Sequence, residues 1–152
     1  MIYGGGQERN MRAGTENIYG IVGFAKALQL ANANLAKESE YILGLKLYMI
    51  EQLKNNISGV QFNGDYAGKS LYTVLNVSFP KTEKSEMILF NLDINNICAS
   101  GGSACSSGAD TGSHVIRAIN NNPNLVPVRF SFCKYNTREE IDRVVKKLKE
   151  II

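Results

Sequence analysis

The stretch Leu71-Tyr72-Thr73-Val74-Leu75-Asn76-Val77-Ser78-Phe79-Pro80 decides the architecture. Leu71, Thr73, Leu75, Val77 and Phe79 alternate with Tyr72, Val74, Asn76 and Ser78, the period of a strand with one face in a core. Pro80, which has no N–H to give to a ladder, stops the run. A second strand, Val128-Arg129-Phe130-Ser131-Phe132, turns its aromatic side chains one way and Arg129 and Ser131 the other. Residues 60–63 read as a short strand and 94–99 as an extended segment, so a sheet of about four strands is expected.

Helical spacing surrounds these strands. Ile18, Ile21, Val22, Ala25, Leu28 and Leu35, then Ile42, Leu45, Met49 and Leu53, predict one long helix or two nearly collinear ones, ending at Asn55-Asn56 and Ser58-Gly59. A helix longer than a small domain is wide usually bridges two bodies, so its first half is expected to pack on something else. Ser85 is expected to cap a short helix to about Leu92, and Ser113 another over 114–119, closed by Asn120-Asn121-Asn122-Pro123. Thr137 with Glu140 reads as a capping box, and Ile141, Val144, Val145, Leu148 and Ile151 form the buried stripe of a last helix. The fold class is therefore α+β: a small antiparallel or mixed sheet of about four strands, helices mainly on one face, preceded by a long helix.

At 152 residues and 44% hydrophobic, the chain can bury one core. A formal charge of +3 gives no reason to invoke nucleic acid. Three cysteines without CxxC spacing and a single histidine give neither a disulfide framework nor a metal site, and fit a reducing compartment. Neither a membrane-length apolar run nor a secretory leader pattern is present, so a soluble, cytoplasmic location is expected. Met1-Ile2-Tyr3 runs straight into Gly4-Gly5-Gly6, as though the chain began partway through an element.

Chemistry concentrates in Ala99-Ser100-Gly101-Gly102-Ser103-Ala104-Cys105-Ser106-Ser107-Gly108, a run of the smallest residues with one thiol at its centre. Such a run cannot build a core, and between two strand-like segments it reads as a reactive loop rather than a linker. No Lys, Arg or His adjoins Cys105, so thiolate formation must be assisted from elsewhere in space. His114, the single histidine, reads as a helix residue rather than a base. Residues 4–17 mix glycines with Arg9, Arg12 and Thr15 ahead of a helix start, and read equally as an anion-binding loop or a solvated turn. Arg129 in an apolar strand calls for a counter-charge, either a bound substrate carboxylate or an acidic residue such as Asp142. Cys98 and Cys133 read as small hydrophobes.

Three motifs together resemble the carboxy-terminal portion of a cysteine desulfurase, in the pyridoxal-phosphate-dependent, class V aminotransferase-like group with the longer catalytic loop. They are Gly4-Gly5-Gly6-Gln7-Glu8-Arg9 through Arg12-Ala13-Gly14-Thr15-Glu16-Asn17, then Ser103-Ala104-Cys105-Ser106-Ser107-Gly108, then Arg129-Phe130-Ser131-Phe132 with Tyr135-Asn136-Thr137. The resemblance spans essentially the whole chain in the right order. It implies the carboxy-terminal small domain of a fold-type I enzyme, with residues 1–17 an active-site loop of the large domain, 18–57 the inter-domain helix or helix pair, and 58–152 the small domain with its catalytic loop at 99–113. It also implies that L-cysteine becomes L-alanine while Cys105, the nucleophile, keeps the sulfur as a persulfide for iron–sulfur scaffolds or other acceptor proteins. Arg129 matches the arginine that holds the substrate carboxylate. Thr15 matches a threonine reaching the cofactor phosphate of the other subunit in the family's homodimer.

The family's cofactor-binding lysine, stacking histidine and ring-nitrogen aspartate have no match here, which implies a fragment that is inactive alone. Cys133 replaces an expected small residue such as glycine, and Lys134 does not match the lysine motif. Two other readings share these features: a stand-alone persulfide carrier or interaction module, and a fragment of a selenocysteine lyase.

Overall fold

A computed structural model of the chain describes residues 2–102, 113–120 and 122–152. Two compact units are present, Met1–Ala36 and Lys37–Ile152, and the boundary falls inside one unbroken helix, α1 (Ile18–Asn56). In the first unit α1 starts at Asn17, whose Oδ1 accepts the Gly20 N–H at 3.0 Å, an N-cap that supplies a partner for one otherwise orphaned donor. Within this unit the apolar residues of α1 lie exposed, Val22 at 63% and Phe24 at 73%, and Ala13 is the buried residue among those described.

In the second unit the later apolar set does what its spacing predicts. Ile42, Leu45, Met49 and Leu53, joined by Ile50, are buried in one core. That core is completed by a sheet of β1 (Gln61–Phe62), β2 (Val74–Pro80) and β3 (Leu125–Ser131), by α2 (Ile88–Asp93) and by α4 (Arg138–Ile151). The strand order is β1-β2-β3, and both pairings are antiparallel. Leu75, Val77 and Phe79 face Val128 and Phe130 on the core side, where α1, α2 and α4 pack. The helix α3 (His114–Ile119) buries none of its residues.

Among the described residues three strands form where about four are expected. Residues 94–96 turn, with Asn96 at φ +58°, and the following segment reaches the sheet only through a single bridge, Ser100 to Arg129. β2 also starts later than its alternation does. Tyr72-Thr73 form a turn, Leu71 is exposed, and the Leu71 carbonyl accepts at 3.1 Å from the buried Lys46 Nζ, which also donates to Ser70 Oγ at 2.7 Å. Burial lowers the Lys46 pKa, with the nearby Asp65 opposing the shift.

Both helix-terminal signals after the Cys105 region hold: Ser113 Oγ accepts from Ile116 N–H, and Thr137 and Glu140 form a reciprocal capping box. Ser85 behaves differently. Its hydroxyl accepts from Thr82 N–H and donates to the Pro80 carbonyl, while Thr82 Oγ1 accepts from Ser85 N–H, so Ser85 is the first residue of a 3-10 turn, Ser85–Met87, that leads into α2, and not its cap. Pro80 ends β2 as its last residue.

Hydrogen bonds from Asn136 Nδ2 and from the Thr137 N–H hold the Glu140 carboxyl below the ordinary carboxylate pKa. A depressed carboxylate contributes stability fully above its unfolded pKa and loses it as pH falls through the folded one. Thr137→Ala is expected to cost about 1 kcal/mol in urea unfolding at neutral pH. The loss measured for Glu140→Gln should shrink as the pH is lowered through the carboxylate range.

Candidate functional site

Arg129 sits in the middle of β3 on the face away from the core, and it is exposed. Strand alternation puts its neighbours Val128 and Phe130 inside and the guanidinium outside, as expected, and an exposed guanidinium in an apolar strand does not require the counter-charge that the sequence called for. Asp142 is not its partner either. That carboxylate accepts the Tyr48 hydroxyl at 2.7 Å, a bond that raises the Tyr48 pKa, and Arg138 lies 5.0 Å from the centre of the same ring. Among the described residues the Arg129 side chain makes no ion pair or hydrogen bond and is open to a ligand.

The backbone of Arg129 is not open. Its N–H donates to the Ser100 carbonyl at 2.6 Å and its carbonyl accepts the Ser100 N–H at 3.1 Å. The segment carrying Cys105 thus departs from the edge of the sheet at the residue that presents the guanidinium. Cys105 itself lies outside the described residues. After that segment the chain is next anchored on the opposite edge, where Asn120 Nδ2 donates to Gln61 Oε1 at 3.2 Å and to Asn63 Oδ1 at 3.4 Å. His114, on α3, is exposed.

Cys98 and Cys133 are both exposed, which corrects their reading as small hydrophobes. Cys98 follows the 94–96 turn rather than lying in a strand, and Cys133 lies just past β3, where its N–H donates to Asn136 Oδ1 at 2.8 Å. Cys98 lines a pocket of ≈ 340 Å³ with Ser131, Asn136 and Arg143; Arg129 does not line it. Lys134 is held by Glu38 at 2.8 Å, and that hydrogen bond raises its pKa. Among the described residues no group of three or more His, Cys, Asp or Glu could hold a metal ion.

In the first unit the loop before α1 is built largely from its own charges. Arg12 bonds to Glu16 and, at 2.6 Å, to the Gly14 carbonyl, with Glu8 at 4.0 Å. Gln7 Oε1 accepts the Gly14 N–H at 3.1 Å, and Gly14 adopts φ +99°, a conformation open to glycine. Between them Glu8, Arg9 and Asn10 adopt left-handed conformations, φ 49°, 56° and 64°, each costing roughly 1–2 kcal/mol without a glycine, in a turn closed by Asn10 N–H to the Gln7 carbonyl at 3.1 Å and Met11 N–H to the Glu8 carbonyl at 3.0 Å. Arg12 is consumed inside the loop, whereas the hydroxyl of exposed Thr15 has no partner among the described residues. Sequence reasoning did not single out Glu16 or Asn17; the Arg12–Glu16 spacing of four was the available signal for the first, and Asn ahead of a helix start for the second.

A family described as aminotransferase class-V matches residues 4–144. The chain belongs to this family. A protein named cysteine desulfurase IscS from Dictyoglomus turgidum is 40% identical over 154 residues, covering 100% of this chain and 39% of that protein. A cysteine desulfurase from a Nostoc species is 38% identical, with 100% and 38% covered. A solved structure titled NifS-like protein superposes with a TM-score of 0.74 at 33% identity, over 99% of this chain and 38% of that one. The chain thus spans about two-fifths of the length of the proteins it matches.

Members of the class-V family are generally pyridoxal-phosphate enzymes, and the matching residues fit one part of that cofactor. An open hydroxyl at Thr15 suits a phosphate oxygen. The lysine that follows β3 suits no imine, because Lys134 is committed to Glu38.

Pairing between Ser100 and Arg129 is directly measurable. Their two amide protons should show matched protection from hydrogen exchange, and Ser100→Pro, which deletes the donor to the Arg129 carbonyl and so loosens the two-bond bridge, should lower the protection of the Arg129 amide while β2–β3 amides such as that of Val128 keep theirs.

Proposed function

We propose that this chain is the carboxy-terminal small domain of a cysteine desulfurase together with the helix that leads into it. In this reading 1–17 is a loop of the large domain's active site, 18–57 the inter-domain helix, and 58–152 the small domain. The observation that carries the proposal is the union at one residue of an open guanidinium and the backbone anchor of the Cys105 segment. A carboxylate held by Arg129 would place a bound amino acid beside the root of that segment.

Pyridoxal phosphate, when bound in the whole enzyme, supplies the electron sink that makes the Cβ–S bond of L-cysteine breakable. The chain's own residues have three tasks. Thr15 donates to a phosphate oxygen, across the subunit boundary of a homodimer. Arg129 takes the α-carboxylate in a bidentate pair and fixes the direction of the Cβ–S bond. Cys105, as thiolate, attacks the substrate sulfur. An S–S bond forms, the Cβ–S bond breaks and Cβ takes up a proton, so a thiol and L-cysteine become a persulfide and L-alanine. The persulfide sulfur then passes to an acceptor, an iron–sulfur scaffold or another sulfur-accepting protein, in the cytoplasm.

A 152-residue chain with a single matched cofactor contact is expected to release no alanine from L-cysteine when pyridoxal phosphate is added, measured by amino-acid analysis. Turnover by the chain that Cys105→Ala abolishes would overturn this division of labour. In an enzyme that includes the large domain, Arg129→Ala should raise KM for L-cysteine by tenfold or more, the loss of a charge-assisted pair. A carrier without substrate recognition would instead load persulfide equally well with and without Arg129.

A further inference from the structure

Resting on the reading of Arg129 as the carboxylate anchor, we propose that Asn76 is a second donor to the same carboxylate, so that its side-chain amide and the Arg129 guanidinium form one anion site on the outer face of the sheet. Asn76 lies directly opposite Arg129 in the β2–β3 register. The backbone groups of Arg129 bond away from β2, to Ser100, and the Asn76 carbonyl bonds away from β3, to the Asn63 N–H at 3.0 Å. The two residues are therefore a non-hydrogen-bonded antiparallel pair. In such pairs Cα atoms stand about 4.5 Å apart and same-face side chains come closest.

The orientation of the Asn76 amide is set by its neighbours. Asn63 Nδ2 donates at 2.7 Å to both Asn76 Oδ1 and Ser78 Oγ, and Asn63 Oδ1 accepts from Asn120 Nδ2 at 3.4 Å. The Asn76 oxygen is thereby occupied, and its Nδ2 is left as a donor without a partner among the described residues. The other outer-face positions of β2 and β3, Val74, Ser78, Pro80, Leu125, Pro127 and Ser131, carry no acidic group to take either donor. A guanidinium beside an amide donor, on strand faces that carry no acidic side chain among the described residues, matches a carboxylate, whose two oxygens offer about four lone-pair sites.

The full chain, labelled with 15N, would be titrated with L-alanine while the Arg129 Nε–H and Asn76 Nδ2H2 resonances are followed, with L-alaninamide as the probe lacking the carboxylate. The expected result is that both resonances move along one saturation curve with L-alanine and stay still with the amide. Asn76→Ala should then weaken the Kd about tenfold, the loss of one hydrogen bond to a charged group. Movement of Arg129 Nε–H with Asn76 Nδ2H2 stationary overturns the role of Asn76 and leaves the Arg129 reading standing, as does a Kd within twofold in Asn76→Ala. An Arg129 signal indifferent to L-alanine overturns both. The side-chain resonances are read in the unaltered chain, so the outcome does not depend on how well the variant folds.

Discussion

The structure depends on one register, that of β2 against β3. With Leu75 opposite Phe130 and Val77 opposite Val128, even-numbered residues of β3 bond to β2 and place their side chains in the core. Odd-numbered residues turn their backbone groups outward and their side chains to the other face. Arg129 belongs to the second set, which is why its guanidinium is open and its peptide groups are available to Ser100. A slip of one residue would drive the guanidinium into a core of Leu53, Phe79 and Leu148 and expose Phe130, a change that the burial of some twenty apolar side chains opposes.

The asparagine row follows from the same geometry. Asn63, Asn76 and Asn120 bridge the outer face from the β1 edge toward Arg129, each amide oriented by the next. Ser78, itself buried, accepts from Asn63 and so carries no unsatisfied hydroxyl. The chain that leaves the sheet at Ser100 and the helix that begins after Ser113 are thereby tied to opposite edges of one sheet, so both ends of the intervening segment start from fixed places.

Local signals were legible where they were self-contained. The helical stripes of α1 and α4, the Thr137 box, the Ser113 cap and the alternation of β3 each rest on residues within a few positions of one another, and each is found. Readings that needed a tertiary partner were less secure. The fourth strand dissolved because Asn96 turns the chain, and the start of β2 moved because Lys46, 25 residues earlier, takes the Leu71 carbonyl. The face of Arg129, opposite the aromatic side chains, was legible from strand alternation, but whether an acidic residue would pair with it was not, because Asp142 lies on another element and takes the Tyr48 hydroxyl. Asn76 carried no signal, since nothing in its own strand says what lies opposite.

Pro127 stands among the outward-facing positions of β3, two residues before Arg129, so its missing N–H costs the β2 ladder nothing. Among the described residues the outer edge of β3 is bridged only at Ser100, and such an edge is otherwise a template on which another extended chain could grow. The proline interrupts that template. A strand edge that, among the described residues, is bridged at Ser100 alone is in this way guarded against edge-to-edge self-assembly.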